Sequence, residues 1–124
     1  MFDDAAVLSS AEQIEKFSVV REQNEKFPLR IRQLMHKRVG IVRTVARLQE
    51  AFCALETLAA QLEAAYRQTH PTVDSCEARN LAACALLITQ SALARKESRG
   101  LHYVLDYPES RDEYAACPTL ITPL

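Results

Sequence analysis

Ile41, Val45, Leu48, Phe52, Leu55, Ala59, Leu62 and Tyr66 recur at alternating intervals of four and three residues. Only an α-helix turns that spacing into one continuous apolar seam. A helix over 41–68 would be roughly 40 Å long at 1.5 Å per residue. A seam of that length needs other helices to cover it, which is the situation of a bundle. His70-Pro71 ends the pattern, because the residue before a proline is pushed out of the helical region.

The flanking sequence supplies the covering helices. Ser10, with Gln13 three residues on as a capping-box partner, opens a polar helix that can run to about Asn24, its thin stripe made by Ala11, Ile14, Phe17 and Val20. Pro28 suits the first turn of a second helix, where its missing N–H is not needed, and Leu29, Ile31, Leu34, Met35 and Val39 carry that helix toward Gly40. A glycine inside such a pattern marks a kink or a close backbone crossing. Asp74-Ser75-Cys76-Glu77 has the form of an N-cap with its reciprocal acid, and Ala78, Leu81, Ala82, Ala85, Ile88, Thr89, Ala92 and Leu93 give the helix after it a buried face. Arg95, Lys96 and Arg99 then fill a last turn that Gly100 closes in the left-handed conformation.

Beyond Gly100 the period changes to two: Leu101, Tyr103, Leu105 and Tyr107 alternate with His102, Val104, Asp106 and Pro108. That is an extended strip, which must lay one face on the helices. The expectation is therefore an all-α fold, a three-helix antiparallel bundle over residues 28–109. It has an additional N-terminal leader helix or linker over 1–27, an extended C-terminal strip, and a loosely held tail over 110–124 containing Pro118 and Pro123.

Several functions are disfavoured by what the chain contains. Lys+Arg 15 against Asp+Glu 16 gives a formal net charge of −1, so no net field draws nucleic acid or an anionic membrane surface. No apolar run reaches bilayer length, and Met1-Phe2-Asp3-Asp4 is acidic where a secretory signal is basic, which points to the cytoplasm. Cys53, Cys76, Cys84 and Cys117 show no C-x-x-C spacing and read as buried or free thiols, and with His36, His70 and His102 they match no metal-site pattern. Gly40 and Gly100 are the only glycines and stand apart, so neither a dinucleotide loop nor a P-loop can be drawn. The chain alone is expected to hold no FAD, NAD, ATP or metal.

Three pieces of sequence carry a family resemblance: Leu34-Met35 followed by Val39-Gly40-Ile41-Val42-Arg43, then Arg79-Asn80-Leu81, then the run from Arg95 to Pro108. Across about Leu29 to Glu109 they resemble the carboxy-terminal region of the L-aspartate oxidases and, more distantly, the flavoprotein subunits of succinate dehydrogenase and fumarate reductase. The last piece is the most specific, because the succinate dehydrogenase relatives have alanine in place of Leu101 and lack the Leu105-Asp106-Tyr107-Pro108 ending. His36 stands where the family commonly has an aromatic residue. The resemblance implies a three-helix bundle that follows an FAD-binding domain and a mobile capping domain. It also implies a parent enzyme that oxidises L-aspartate to iminoaspartate. There hydride passes from Cα to the flavin, oxygen or fumarate reoxidises the flavin, and the product feeds quinolinate synthesis in NAD biosynthesis. The family's catalytic His and Arg residues belong to the other domains, so none is carried onto this sequence.

Glu97, Arg99, His102 and Asp106 can be read as an acid, a base and an anion-binding guanidinium close together in sequence. They are better read as structural and docking residues: Arg99 closing a helix end or bridging to another domain, Glu97 pairing with Arg99 or Arg43, and His102 hydrogen-bonded at an interface. The candidate inter-domain docking set is accordingly Arg43, Glu97, Ser98, Arg99, His102, Tyr103, Asp106 and Tyr107, with no catalytic, cofactor-binding or metal-binding residue. Its expected partners are the FAD-binding and capping domains, which would meet exposed apolar surface around Tyr103 and Tyr107. A stand-alone helical protein-interaction module derived from the same domain is the alternative, and a homodimer through the leader helix stays open.

Overall fold

The computed structural model describes residues 10–122, with side chains throughout that span except 16–24. Three helices dominate: α1 (Ser10–Arg38), α2 (Val45–Gln68) and α3 (Val73–Ala94). Two two-residue strands, β1 (Val42–Arg43) and β2 (Tyr103–Val104), and a 3₁₀ turn at Asp112–Tyr114 complete the described chain. Phe17, Val20 and the Met1–Asp4 segment, to which the sequence reading gave roles, lie outside the residues or side chains described.

The helices pack pairwise into an antiparallel bundle. One core layer joins Phe27 and Ile31 of α1 to Leu55, Leu58 and Leu62 of α2 and to Ala78, Ala82 and Ala85 of α3. A second joins Val39 to Leu48, Ala51 and Ala92. The late part of α1 and of α3 thus meets the early part of α2, as an up-down-up path requires. Alanines on α3 let it lie close against its neighbours, where larger side chains would hold the backbones apart.

Four boundaries differ from the sequence expectation. The leader and the first bundle helix form one element, because α1 passes through Pro28 without a break. Proline removes an N–H and crowds the preceding turn, but Phe27 and Ile31 on either side are buried and hold the helix against the bundle. Helix α2 starts at Val45: Ile41 is 84% exposed and outside the seam, because Val42 and Arg43 pair with Tyr103 and Val104 in a parallel ladder. The buried stripe of α2 is Leu48, Ala51, Leu55, Leu58, Leu62 and Ala65, while Phe52, Ala59 and Tyr66 are half-buried on its flank. A helix wedged between two others buries a wider face than a two-stranded seam.

The N-cap of α3 lies two residues before the expected one, Asp74. Thr72 caps it, taking a bond from Ser75 N at 3.1 Å while Ser75 Oγ accepts from Thr72 N at 2.9 Å, a closed capping box. Ser75 is buried at this end of α3, whereas Asp74 and Glu77 are exposed. On the face of α3, Ala78, Ala82, Ala85, Thr89 and Ala92 are buried, Leu81 and Leu93 are half-buried, and Ile88 is half-exposed. Helix α3 also stops at Ala94, so Arg95 and Arg99 do not line a last turn and Gly100 does not close it. Gly100, at φ +58°, instead starts the tight turn between Arg99 and His102, the turn position where glycine is favoured. Gly40 lies just past the end of α1 and not at a crossing of two elements: a Cβ there would lie 2.9 Å from the carbonyl oxygen of His36 in the last turn of that helix.

Between α2 and α3, Arg79 donates to both oxygens of Glu63 at 2.6 and 3.2 Å and stacks over Tyr66, 4.5 Å from the ring centre. Arg79, and then Arg67, hold the Glu63 carboxyl below its ordinary range. All four cysteines are free thiols, with Cys53, Cys84 and Cys117 exposed and Cys76 half-buried. No helix among the described residues is long and apolar enough to cross a membrane.

Candidate functional site

Glu97 is the centre of the region after α3. Its side chain has no exposed surface, yet it carries a charge, and the surrounding chain accounts for every lone pair that needs a donor. Oε1 accepts from Arg95 Nε and Arg99 Nε, both at 2.9 Å; Oε2 accepts from Arg99 Nη2 at 3.2 Å and from the backbone N of Arg111 at 2.8 Å. Arg99 foremost, with the Arg111 N–H and Arg95, pulls the Glu97 carboxyl down to about 2 against the opposing effect of burial. Glu97 in turn raises the Arg99 guanidinium.

That ion cluster organises the chain on either side. Arg95 directs Nη1 to Cys117 O at 2.9 Å and Thr119 Oγ1 at 3.1 Å, and Nη2 to Tyr114 O at 2.8 Å. Arg99 Nη2 reaches Arg111 O at 3.1 Å, and Ser110 Oγ donates to Ser98 O at 2.7 Å. Residues 110–119, for which the sequence suggests a loose tail, therefore receive a row of directed bonds from the segment just after α3.

Ser98, almost wholly buried, fastens the strip. Its Oγ donates to Tyr107 O at 2.6 Å and accepts from Val104 N at 3.0 Å, so one hydroxyl closes a bend from both sides. The strip is not alone: β2 pairs in parallel with β1, and Leu105 N donates to Arg43 O at 2.9 Å. Val104 is the residue it buries, which turns Tyr103 (40% exposed) and Leu105 (51%) outward and leaves Tyr107 half-buried. The period-two pattern identifies an extended strip, but Val104, on the set opposite Tyr103 and Tyr107, is the side chain that faces inward.

Asp106 and His102 tie this strip to the helices. Asp106 Oδ2 accepts from Val45 N, the first residue of α2, at 2.8 Å across 61 positions of sequence. His102 Nδ1 lies 3.0 Å from Arg43 Nη1, and His102 Nε2 lies 3.0 Å from Arg95 O. A guanidinium can only donate and a carbonyl can only accept, so the ring is neutral, with its proton on Nε2. Arg43 also donates from Nε to Gly40 O at 3.0 Å, and partial burial pushes its guanidinium below the ordinary value. Glu97 pairs with Arg99, as one of the sequence alternatives has it, and not with Arg43.

The structure thus brings Glu97, Ser98 and Arg99 together in one cluster and His102, Arg43 and Asp106 beside β1 and the start of α2. Arg95 and Arg111, which the candidate set omits, complete the ion cluster. Arg95 was visible as a cation at the end of α3, but nothing local indicates that Arg111 donates through its backbone. No group of three or more His, Cys, Asp or Glu side chains gathers as metal ligands among the described residues. The two strands among the described residues are two residues long, and neither leads through a glycine-rich turn into a helix.

A family model described as fumarate reductase flavoprotein C-terminal matches residues 29–123. The chain belongs to this flavoprotein C-terminal family. The match takes in the later part of α1, all of α2 and α3, and the ion cluster that follows them. Among relatives of this family member, the L-aspartate oxidase of Pseudomonas aeruginosa is 44% identical over 93 residues, 75% of this chain and 17% of that protein. The chloroplastic L-aspartate oxidase of Arabidopsis thaliana is 43% identical over 98 residues, 75% of this chain and 15% of that protein. The chloroplastic L-aspartate oxidase of Oryza sativa subsp. japonica is 37% identical over 111 residues, 86% of this chain and 17% of that protein. The chain spans about one sixth of the length of these curated relatives.

Proposed function

We propose that this chain is the non-catalytic carboxy-terminal domain of an FAD-dependent L-aspartate oxidase, packing against FAD-binding and capping domains that oxidise L-aspartate to iminoaspartate in NAD biosynthesis. The similarity to L-aspartate oxidases along most of the chain, confined to a small share of their length, carries this reading. The use of the polar candidates supports it. Glu97, Ser98, Arg99 and Asp106 are committed to contacts within the chain, so they shape a surface instead of offering a reactive group to a substrate. What that shaping leaves outward is apolar: Ile41, Val42, Leu101, Tyr103 and Leu105 all stand exposed on or beside the two short strands. A surface of this kind is suited to covering by another domain.

In this reading FAD is held entirely by the other domains, the assembled enzyme acts in the cytoplasm, and the bundle supplies a rigid wall behind the flavin domain. Tyr103 and Tyr107 sit on the docking side, and Arg99 acts through the ion cluster that positions them. The test is a transplant. Residues of this chain replace the matched 93-residue segment of the Pseudomonas aeruginosa L-aspartate oxidase, and the purified chimera is assayed for bound flavin and aspartate-dependent peroxide. A chimera with stoichiometric FAD and aspartate oxidation is expected. A chimera that folds in both portions yet leaves them unassociated in limited proteolysis would refute the docking reading and favour a stand-alone interaction module.

A further inference from the structure

A groove of ≈ 390 Å³ runs between the second half of α3 and the β1–β2 ladder, walled by Leu87, Ile88 and Ala92 and bounded by Arg43, Arg95 and His102. Leu87 and Ile88 are each about half exposed, at 52% and 49%. Arg43 is the uncommon element. Its Nε is held by Gly40 O and its Nη1 by His102 Nδ1, which aims the guanidinium without neutralising it, since both acceptors are uncharged. Arg95 and Arg99 share Glu97, and Arg111 meets Glu113, but Arg43 has no carboxylate within ion-pair distance among the described residues. No hydrogen bond from Arg43 Nη2 is found among those residues, and no buried side-chain nitrogen or oxygen there lacks a partner, so Nη2 is open to the groove or to solvent.

We propose that this groove receives one carboxylate carried beside an apolar side chain, presented by an aspartate or glutamate of the flavin-bearing portion of the enzyme. The inference rests on the docking reading above. A partly desolvated cation with no countercharge is less favourable than a paired one, and a carboxylate brought in with its own apolar neighbour supplies that charge while covering Leu87 and Ile88. One free guanidinium edge matches one carboxylate. Arg95 also lines the groove, but its charge is met by Glu97 and its Nε, Nη1 and Nη2 are each bonded within the chain, so Arg43 is the one lining cation there without a countercharge and a phosphate or free dicarboxylate would lack a second. Partial burial of Arg43, which lowers its guanidinium, agrees with a charge waiting for a partner.

The test uses the full chain and a small probe. Hexanoate, which joins a carboxylate to an apolar tail, is titrated while the arginine Nε–H and the Leu and Ile methyl resonances are followed by NMR. L-aspartate, succinate and hexanol are run as comparison arms. Saturable shifts at Arg43, Leu87 and Ile88 are expected with hexanoate alone, weakened at least about tenfold in Arg43→Gln, the loss of one charge-assisted hydrogen bond. Because Arg43→Gln also removes the bond to Gly40, a second variant is needed. Ile88→Glu supplies the carboxylate in cis from an exposed position, and it should abolish the hexanoate response with the fold intact. Hexanoate binding unchanged in both variants, or binding of aspartate or succinate as tight as that of hexanoate, would overturn the proposal. The titration is independent of domain association: a chimera that fails to associate refutes docking alone, and a normal chimera with no hexanoate site refutes this inference alone.

Discussion

Replacing Asp106 by alanine tests whether the strip is part of the bundle or merely laid on it. An α-helix begins with four N–H groups that have no intrahelical acceptor one turn back. In α2, Arg47 N is met by Thr44 Oγ1 at 3.2 Å and Leu48 N by Thr44 O at 3.0 Å, while Val45 N is met by Asp106 Oδ2 at 2.8 Å. The first turn of α2 contains no acid of its own, so the negative charge at its positive end comes from the distant strip. Removing a capping side chain costs about 1 kcal/mol, and about 0.3–1 kcal/mol of that is the charge acting on the helix dipole. For a chain of this size the loss lowers the unfolding midpoint by roughly 4 °C. Far-UV circular dichroism during thermal and urea unfolding measures it. Asp106→Asn, which keeps an acceptor and loses the charge, should lie between wild type and Asp106→Ala and approach wild type as salt screens the dipole. An Asp106→Ala unfolding free energy within about 0.5 kcal/mol of wild type, the range of an ordinary surface change, would show that the strip does not cap α2.

Glu97 gives the fold an acid limit: its folded-state carboxyl is depressed to about 2, so its contribution is complete above the ordinary carboxylate range and is lost as pH falls from about 4.5 toward 2. Urea midpoints measured across that window should fall in wild type and fall less steeply in Glu97→Gln, which is less stable at neutral pH; parallel curves for the two proteins would contradict the assignment. Gly100→Ala meets no atom within 4 Å but forces alanine to φ +58°, a net loss of about 1 kcal/mol after the stiffer unfolded chain is counted. Gly40→Ala fails differently, by driving a Cβ onto His36 O at 2.9 Å, and should lose about 1–3 kcal/mol; equal unfolding midpoints for wild type and both glycine variants would refute both accounts.

The spacing of apolar residues was sufficient to give three bundle helices, the end of the second near Gln68, and an extended segment after Gly100, but it carried the third helix past its end at Ala94. Periodicity reports which residues share a face, and helix and strand faces are local properties of the backbone. The same reasoning could flag Glu97, Arg99, His102 and Asp106 as conspicuous, and the motif from Arg95 to Pro108 could tie them to a flavoprotein family. It could not assign their partners. Arg99 meets Glu97 only two residues away, but Arg95 reaches Thr119 and Asp106 reaches Val45, and those distances along the chain close only after α2 and α3 have packed.

Hydrophobic pattern carries no record of where a chain returns to itself. Ile41 continues the arithmetic of the seam as well as Val45 does, yet it is left in solvent because its neighbours find strand partners 61 residues later. Pro28 carries a local start signal, yet α1 runs straight through it with Phe27 and Ile31 buried on either side, and Asp74 carries a local start signal that the Thr72–Ser75 pair pre-empts. Helix content was therefore determined by short-range composition. The ends of the helices, the closed shell around Glu97 and the uncompensated guanidinium of Arg43 belong to the packed bundle, where hydrogen bonds and charges are completed across sequence separations that no local pattern encodes.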